Sequence, residues 1–236
     1  MCPTGDERWV LIMAKRTSSA KGAFIVVEGL DGAGTTTQVR LISAHLRQLG
    51  FRTWTTREPS AGPIGAAVRA AIEGREPMSR EALALGFAAD RVHHMSRSGG
   101  IEDMLSDGAW VISDRYVLSS LAYQAAQGVD FDWLVELNRY APSPDVTVFI
   151  DTPVRVCLER IHDRGDNVED QFHRRTALLN VRREYRHALS LGRFTGKVVT
   201  TDGRGTKSEV LRQSLEGMTE ELHADFGLFI SLSPQG

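Results

Sequence analysis

The chain has 236 residues, with 28 Lys and Arg against 30 Asp and Glu, so its formal net charge is −2. This near balance supplies no standing positive field, which argues against a general nucleic-acid or anionic-membrane binder. A hydrophobic fraction of 42% with 25% charged residues excludes wholesale disorder, and no apolar run reaches the roughly 20 residues that cross a bilayer. The two cysteines, Cys2 and Cys157, are too few for a disulfide scaffold and predict free thiols in a cytoplasmic protein.

Strand and helix patterns alternate along the chain after an N-terminal extension over residues 1–22. Residues 23–29 form a short apolar, β-branched run ending in glycine, which predicts a strand buried on both faces. The next segment has apolar residues at helical spacing up to Gly50, which can end the helix. The later predicted strands cover residues 51–56, 110–113, 145–151 and 197–202. The later predicted helices cover residues 64–73, 80–95, 101–105, 117–127, 131–140 and 207–223, with a long helical region interrupted near 164–167.

Five strands separated by helices predict a parallel sheet covered on both faces, an α/β fold of three layers. The chain shows no internal repeat, no low-complexity tract and no linker rich enough in Pro, Gly or Ser to divide it. We therefore predict one domain over residues 23–225, followed by a C-terminal tail over residues 226–236.

A glycine-rich turn connects the first strand to the first helix. Residues 29–36 fit the pattern G-x-x-x-x-G-K-[ST] except at Thr35, which stands where lysine is expected. A strand, a glycine turn and a helix N-terminus direct backbone N–H groups to one point, which suits phosphate oxygens. The hydroxyl of Thr36 would then serve Mg²⁺. The predicted ATP-binding residues are Gly29, Leu30, Asp31, Gly32, Ala33, Gly34, Thr35, Thr36 and Thr37.

Two other interpretations of this turn stay open at the level of the sequence. A glycine turn can simply allow tight packing of a helix on a strand. The other interpretation is an impaired kinase, because the positive charge of the missing lysine must then come from elsewhere. The backbone N–H groups do not depend on that lysine, so nucleotide binding would survive its loss better than turnover.

Four further segments follow the turn in order: TREP at residues 56–59, FAADR at 87–91, DRY at 114–116 and SSLAYQ at 119–124. Together with VEGLDGAG at the front and PDVTVFID further on, they make the chain resemble the thymidylate (dTMP) kinases from about residue 23 to residue 223. The resemblance implies a P-loop kinase fold with a short lid over about residues 160–170, ATP with Mg²⁺, dTMP as the acceptor, and a homodimer.

Two of these segments suit recognition of a nucleoside monophosphate. Arg57 follows a strand end, where a planar cation can hold a phosphate by two hydrogen bonds, and the resemblance assigns it to the dTMP phosphate. Phe87 and Arg91 lie four residues apart and share a helix face. The resemblance places thymine there, with its ring on Phe87 and its O4 on Arg91. Taken alone, Arg57 reads as a surface arginine and Phe87 as a core residue.

The DRY segment follows a buried strand at its carboxyl end, where ligands bind in open α/β sheets. Asp114 can hold Mg²⁺ through water or orient the acceptor, and Arg115 can neutralise charge between donor and acceptor. The alternative is an Asp–Arg pair that braces the turn.

The resemblance assigns the sugar and the base edge to a third set of residues. Ser119 and Tyr123 are one helical turn apart and would line the sugar and base together with Ser120. Tyr123 would exclude a ribose 2′-OH, and Asp31 would accept the sugar 3′-OH.

The predicted lid carries Arg160 and Arg164 four residues apart. Like charges at this spacing destabilise a helix by roughly 0.2–0.5 kcal/mol unless an anion lies between them. A solvated basic face offset by Asp163 and Asp166 is the simpler interpretation. We predict instead that the lid closes over ATP and brings arginine to the transferred phosphoryl group. We also hypothesise that one of the two arginines replaces the charge missing at Thr35.

The predicted reaction is in-line transfer of the ATP γ-phosphoryl group to dTMP, whose phosphate is already an anion and needs no strong base. A deoxynucleoside kinase is one alternative, but it needs a carboxylate base for an uncharged hydroxyl, and Arg57 favours a monophosphate acceptor. The other alternative is a pseudokinase that binds nucleotide without turnover.

Overall fold

A five-stranded sheet forms the centre of the molecule. The structure is a computed structural model, and it describes residues 22–163 and 171–222. The strands are β1 (Phe24–Gly29), β2 (Thr53–Arg57), β3 (Trp110–Asp114), β4 (Val146–Asp151) and β5 (Lys197–Asp202). Their order is β2-β3-β1-β4-β5, and every neighbouring pair is parallel. The predicted five-stranded parallel sheet is confirmed.

Nine helices are described between and after the strands. They are α1 (Thr35–Gln48), α2 (Pro63–Ile72), α3 (Arg80–Ser96), α4 (Ile101–Ser106), α5 (Val117–Ala126), α6 (Phe131–Leu137), α7 (Val154–His162), α8 (Gln171–Ser190) and α9 (Lys207–Leu222). Helices α1 and α9 pack against each other and the sheet, while α5 packs between α8, α6 and α3. This arrangement confirms the predicted three layers. None of the described helices is long and apolar enough to span a membrane.

Helix α6 ends three residues before its predicted end at residue 140. The side-chain amide of Asn138 donates to the carbonyl of Leu134 at 2.8 Å, and the Ala141 N–H donates to the Asn138 carbonyl at 2.9 Å. The chain therefore turns at Asn138, because its amide offers the backbone an alternative to the helical pattern.

Several predicted segments lie outside the described residues. They include most of the N-terminal extension, the C-terminal tail and the second half of the lid with Arg164. The division into an N-terminal extension, a single domain over residues 23–225 and a C-terminal tail therefore stays a prediction.

The core is built on the central strands. Each residue of β1 is buried, and so are most residues of β3 and β4, which run through the middle of the sheet. Such strands read as continuous apolar runs because helices cover both of their faces. The connections reverse direction at β1, which lies between β3 and β4, and this reversal opens a crevice at the carboxyl ends of the strands.

Candidate active site

A cleft of about 1580 Å³ opens at the carboxyl ends of β1, β2 and β3. The glycine-rich loop after β1 forms its floor, and the ends of β2 and β3 contribute Arg57, Asp114 and Arg115 to its walls. Tyr123 of α5 and Arg160 of α7 also line the cleft. The structure thus brings together side chains from five separate segments of the sequence.

The loop turns into α1 through two glycines in the left-handed region, Gly32 (φ 84°) and Gly34 (φ 102°). Gly34 is the N-cap of α1 and has no side chain to take up the first N–H groups of the helix. Those groups and the positive end of a helix of 14 residues therefore face the cleft floor. This geometry suits an anion such as a phosphate.

Replacing Gly32 by Ala is expected to destabilise the fold more than the same change at Gly50. Both glycines have φ 84°, so both variants carry the left-handed strain of about 1–2 kcal/mol. A Cβ at Gly32 would also lie 2.5 Å from the Cys157 carbonyl oxygen, whereas none of the described atoms lies within 4 Å of a Cβ at Gly50. Overpacking of this kind adds about 1–3 kcal/mol. Chemical denaturation measures both losses, and equal losses would contradict the contact.

Thr36 and Asp114 face each other across the cleft floor. The Thr36 hydroxyl donates to Asp114 Oδ2 at 2.5 Å, and Asp114 Oδ1 is buried without a partner among the described residues. A hydroxyl beside a partly unpaired carboxylate is a donor set that Mg²⁺ accepts when phosphates and waters supply the other oxygens. Within residues 22–163 and 171–222, no group of three or more His, Cys, Asp or Glu is arranged to hold a metal ion.

Arg115 connects the acceptor side of the cleft to the glycine loop. Its Nη2 donates to Asp31 Oδ1 at 2.8 Å, and its Nη1 donates to the Gly29 carbonyl. The Asp31 N–H donates to the Tyr123 hydroxyl at 2.8 Å, and the Arg115 guanidinium lies 5.5 Å from the centre of the Tyr123 ring. Burial raises the pKa of Tyr123, so this hydroxyl is neutral at any working pH.

Arg57 is exposed in the cleft and forms no hydrogen bond or ion pair with any described residue, a property that it shares with Arg40 of α1. It ends β2 directly opposite Asp114 in the sheet. A guanidinium without a protein counter-ion, held at a strand end beside a phosphate loop, suits an anionic ligand.

Arg91 is almost fully buried, and its guanidinium is held by three side chains. Its Nε and Nη2 lie 2.8 and 2.6 Å from Glu58 Oε2, its Nη1 donates to Asn138 Oδ1, and its Nη2 donates to Ser120 Oγ at 2.8 Å. Phe87, one turn earlier, is half-buried. Neither residue of this helix lines the cleft, so their predicted contacts with thymine stay predictions.

The serines of α5 point to two different networks. Ser120 is bonded to Arg91, whereas the Ser119 hydroxyl donates to a carboxylate of β1, Glu28, at 2.5 Å. Gln124 lies one turn after Ser120, and both polar atoms of its buried amide are without a partner among the described residues. Gln124 was not predicted from the sequence as a site residue, although its four-residue spacing from Ser120 was a usable signal.

Arg160 forms hydrogen bonds both to the glycine-rich loop and to the chain after β5. Its Nη1 donates to the Ala33 carbonyl at 3.2 Å, and its Nη2 donates to the Gly203 carbonyl at 2.8 Å. Nearby, Cys157 is a free and fully buried thiol, and burial raises its pKa to about 11. The second predicted lid arginine, Arg164, lies outside the described residues.

Glu28 is the second functional candidate that the sequence analysis missed. It is completely buried in β1, and burial raises the pKa of its carboxyl while the nearby Arg115 opposes that shift. The available signal was an acid inside a strand of otherwise apolar residues and glycine.

A parallel sheet with a glycine loop at its crevice, a hydroxyl and a carboxylate on the floor, and arginines on both sides defines a P-loop phosphotransferase. A family model described as "Thymidylate kinase" matches residues 27–214. The chain belongs to the thymidylate kinase family, and the predicted class of enzyme, a dTMP kinase, is confirmed.

Curated relatives agree with this family. The chain is 43% identical to a "Probable thymidylate kinase" of Pyrococcus horikoshii over 155 residues, which cover 63% of this chain and 74% of the relative. It is 44% identical to a "Putative thymidylate kinase" of Treponema pallidum over 146 residues, or 62% and 69% of the two chains. It is 35% identical to a "Probable thymidylate kinase" of Methanococcus aeolicus over 202 residues, or 84% and 96%.

Proposed function

We propose that this enzyme transfers the γ-phosphoryl group of ATP to the phosphate of dTMP, yielding ADP and dTDP, in the cleft around Arg57, Asp114 and Arg115. The observation that carries the proposal is the unpaired Arg57 beside Asp114, across from the glycine loop. A cation at that position matches an acceptor that brings its own negative charge. A deoxynucleoside kinase would place a carboxylate base there instead.

On the donor side, the loop over residues 29–37 holds the triphosphate through backbone N–H groups. Thr36 and Asp114 are the residues that would hold Mg²⁺, with the unpaired Asp114 Oδ1 as the support for this assignment. Bound there, Mg²⁺ supplies charge neutralisation at the β- and γ-phosphates. Asp114 also fixes the Thr36 hydroxyl toward the cleft by accepting its hydrogen bond.

On the acceptor side, Arg57 binds the dTMP phosphate and Arg115 lies between acceptor and donor. Because the acceptor is an anion at neutral pH, these residues catalyse by alignment and charge neutralisation rather than by proton abstraction. Asp31 and Tyr123 face the sugar: Asp31 accepts its 3′-OH, and Tyr123 excludes a 2′-OH.

The base lies toward α3 and α5. We assign thymine to Phe87, Arg91, Ser119, Ser120 and Gln124, and the unpaired amide of Gln124 supports a hydrogen-bonding ligand at this end. The Arg91 guanidinium is held in one orientation by Glu58 and Ser120.

Arg160, with Arg164 as the alternative, supplies the charge that Thr35 lacks.

A homodimer is supported by Leu85 and Val92, which are 50% and 44% exposed and lie two turns apart on α3. Light scattering of the purified protein measures that assembly. The buried free thiol of Cys157 supports action in the reducing cytoplasm.

A coupled assay of ADP release tests the proposed activity, with dTMP compared against dUMP, dCMP, UMP and thymidine at saturating ATP and Mg²⁺. We expect dTMP to give the highest kcat/KM and thymidine to give no turnover. Faster turnover of thymidine than of dTMP would favour the deoxynucleoside kinase, and ATP binding without any ADP release would favour the pseudokinase.

Arg57→Ala is expected to raise the KM for dTMP by about 10- to 100-fold while the KM for ATP changes little, because a charge-assisted bidentate contact contributes roughly 1.5–3 kcal/mol. Arg52→Ala is the matched control. Arg52 lies just before the same strand, is exposed, and pairs with Asp107 rather than facing the cleft. Equal KM values for the two variants would remove Arg57 from the acceptor site.

A further inference from the structure

The buried carboxylate of Glu28 accepts four hydrogen bonds. Its Oε1 accepts the N–H groups of Tyr116 at 2.9 Å and Ser119 at 3.2 Å. Its Oε2 accepts the hydroxyls of Ser119 at 2.5 Å and Tyr185 at 2.9 Å. The carboxylate therefore binds the first turn of α5 and one residue of α8 at the same time.

Packing does not explain an acid at this position. Burying a carboxylate is costly even when it is fully hydrogen-bonded, and an apolar residue of similar volume is often equally stable or more stable. The other five residues of β1 are apolar or glycine. The contacts of Glu28 point to a different purpose, because each of them leads to the neighbourhood of Arg115.

The backbone of Arg115 is in an unusual conformation. Its φ of 74° lies in the left-handed region, and a residue with a side chain stays there only when its surroundings hold it. The Arg115 N–H donates to the Val27 carbonyl at 3.0 Å, and the next N–H in the chain, that of Tyr116, donates to Glu28. Glu28 thus fixes the peptide that follows Arg115.

The side chain of Arg115 is held by the same carboxylate through a relay. Arg115 Nη1 donates to the Tyr185 hydroxyl at 2.8 Å, and that hydroxyl donates to Glu28 Oε2. The other nitrogen, Nη2, donates to Asp31 at the cleft surface. One side of the guanidinium is therefore anchored in the interior while the other side faces the cleft.

We propose that Glu28 is a positioning residue for phosphoryl transfer: through Tyr116 and Tyr185 it holds Arg115 at the point where charge develops between donor and acceptor. The inference rests on the proposed role of Arg115. A cation that is already in place costs no reorganisation during the reaction, and a displacement of about 1 Å in such a group lowers rates by up to about 100-fold. Glu28 itself does not touch the substrates.

Glu28→Gln tests the proposal in steady-state kinetics. The glutamine side chain keeps the volume and one acceptor oxygen. Its NH₂ group, however, is a donor, and it would face N–H and O–H donors that the second carboxylate oxygen accepts in the wild type. We expect kcat to fall about tenfold while the KM for ATP stays within about twofold, because Arg115 is loosened but the phosphate loop is intact.

The same substitution in an Arg115→Lys background separates positioning from general damage. Lysine keeps the charge but cannot form both sets of bonds, so Glu28 has little left to position. We expect Glu28→Gln to lower kcat there by less than about twofold. A tenfold loss in both backgrounds would overturn the proposal. Full activity of Arg115→Lys alone would instead refute the proposed role of Arg115.

A second pair of variants covers the case in which Glu28→Gln does not fold. Tyr185→Phe removes the relay hydroxyl and is expected to lower kcat about three- to tenfold. Thr147→Val is the matched control, since Thr147 is equally buried and its hydroxyl donates to the Thr195 carbonyl at 2.7 Å, away from Arg115. We expect it to lower the melting temperature without changing kcat. Equal changes of kcat in the two variants would overturn the relay.

Discussion

Asp114→Asn is expected to lower kcat by about 100- to 1000-fold and to raise the Mg²⁺ concentration needed for half-maximal rate. Asparagine has the same shape, so the Thr36 hydroxyl can still donate to its oxygen. The negative charge is lost, however. The atom at the buried Oδ1 position, which has no partner among the described residues, becomes either an amide oxygen, which is a weaker metal ligand, or an amide nitrogen. The measurement is ADP release as a function of total Mg²⁺.

Asp151→Asn is the control for this prediction. Asp151 also ends a strand of the same sheet, and it pairs with Arg182 at 2.8 Å instead of lining the cleft. Its loss is expected to change kcat less than about twofold, because a partly exposed ion pair contributes little to stability. If Asp114→Asn keeps the wild-type rate at every Mg²⁺ concentration, Asp114 is not part of the metal site.

Arg160→Ala is expected to lower kcat/KM for ATP by about 100-fold or more in the wild-type background. In a Thr35→Lys background, we expect the loss caused by Arg160→Ala to be about ten times smaller. An arginine at a transferred phosphoryl group is worth a large factor because it neutralises charge in a site that excludes water. Arg160 already contacts the glycine loop at Ala33, two residues before Thr35. A lysine at Thr35 would restore the cation of the usual pattern and make Arg160 partly redundant.

Four further variants make this prediction specific. Arg155→Ala is the control on the same helix, since Arg155 is 80% exposed and pairs with Glu159. Arg160→Lys separates charge from structure, because a lysine keeps the charge but lacks the fork that reaches both carbonyls. Arg164→Ala and Lys207→Ala, measured in both backgrounds, test the other sources of positive charge, of which Lys207 lines the cleft. If Arg160→Ala lowers kcat/KM for ATP by the same factor in the wild-type and Thr35→Lys backgrounds, Arg160 does not replace the charge missing at Thr35.

The elements and the cleft floor could be predicted because their signals are local. Buried strands, helical spacing and the glycine turn lie within windows of a few residues, and parallel strands bring their carboxyl ends to one edge. That rule alone placed Arg57, Asp114 and Arg115 near the loop. The end of α6 was misplaced because the side chain of Asn138 bonds to the backbone, which a periodicity of apolar residues does not register.

By itself, the amino-acid sequence determined the five-stranded parallel sheet, the family and the group of charged residues that meets the glycine loop. The tertiary structure alone decided how those charges are held. It buries Arg91 against Glu58, bonds Arg160 to two carbonyls, and links Glu28 to Tyr185 across 157 residues of chain. These partners depend on how helices pack across the sheet, and a hydrogen bond between residues so far apart leaves no periodic trace in one sequence.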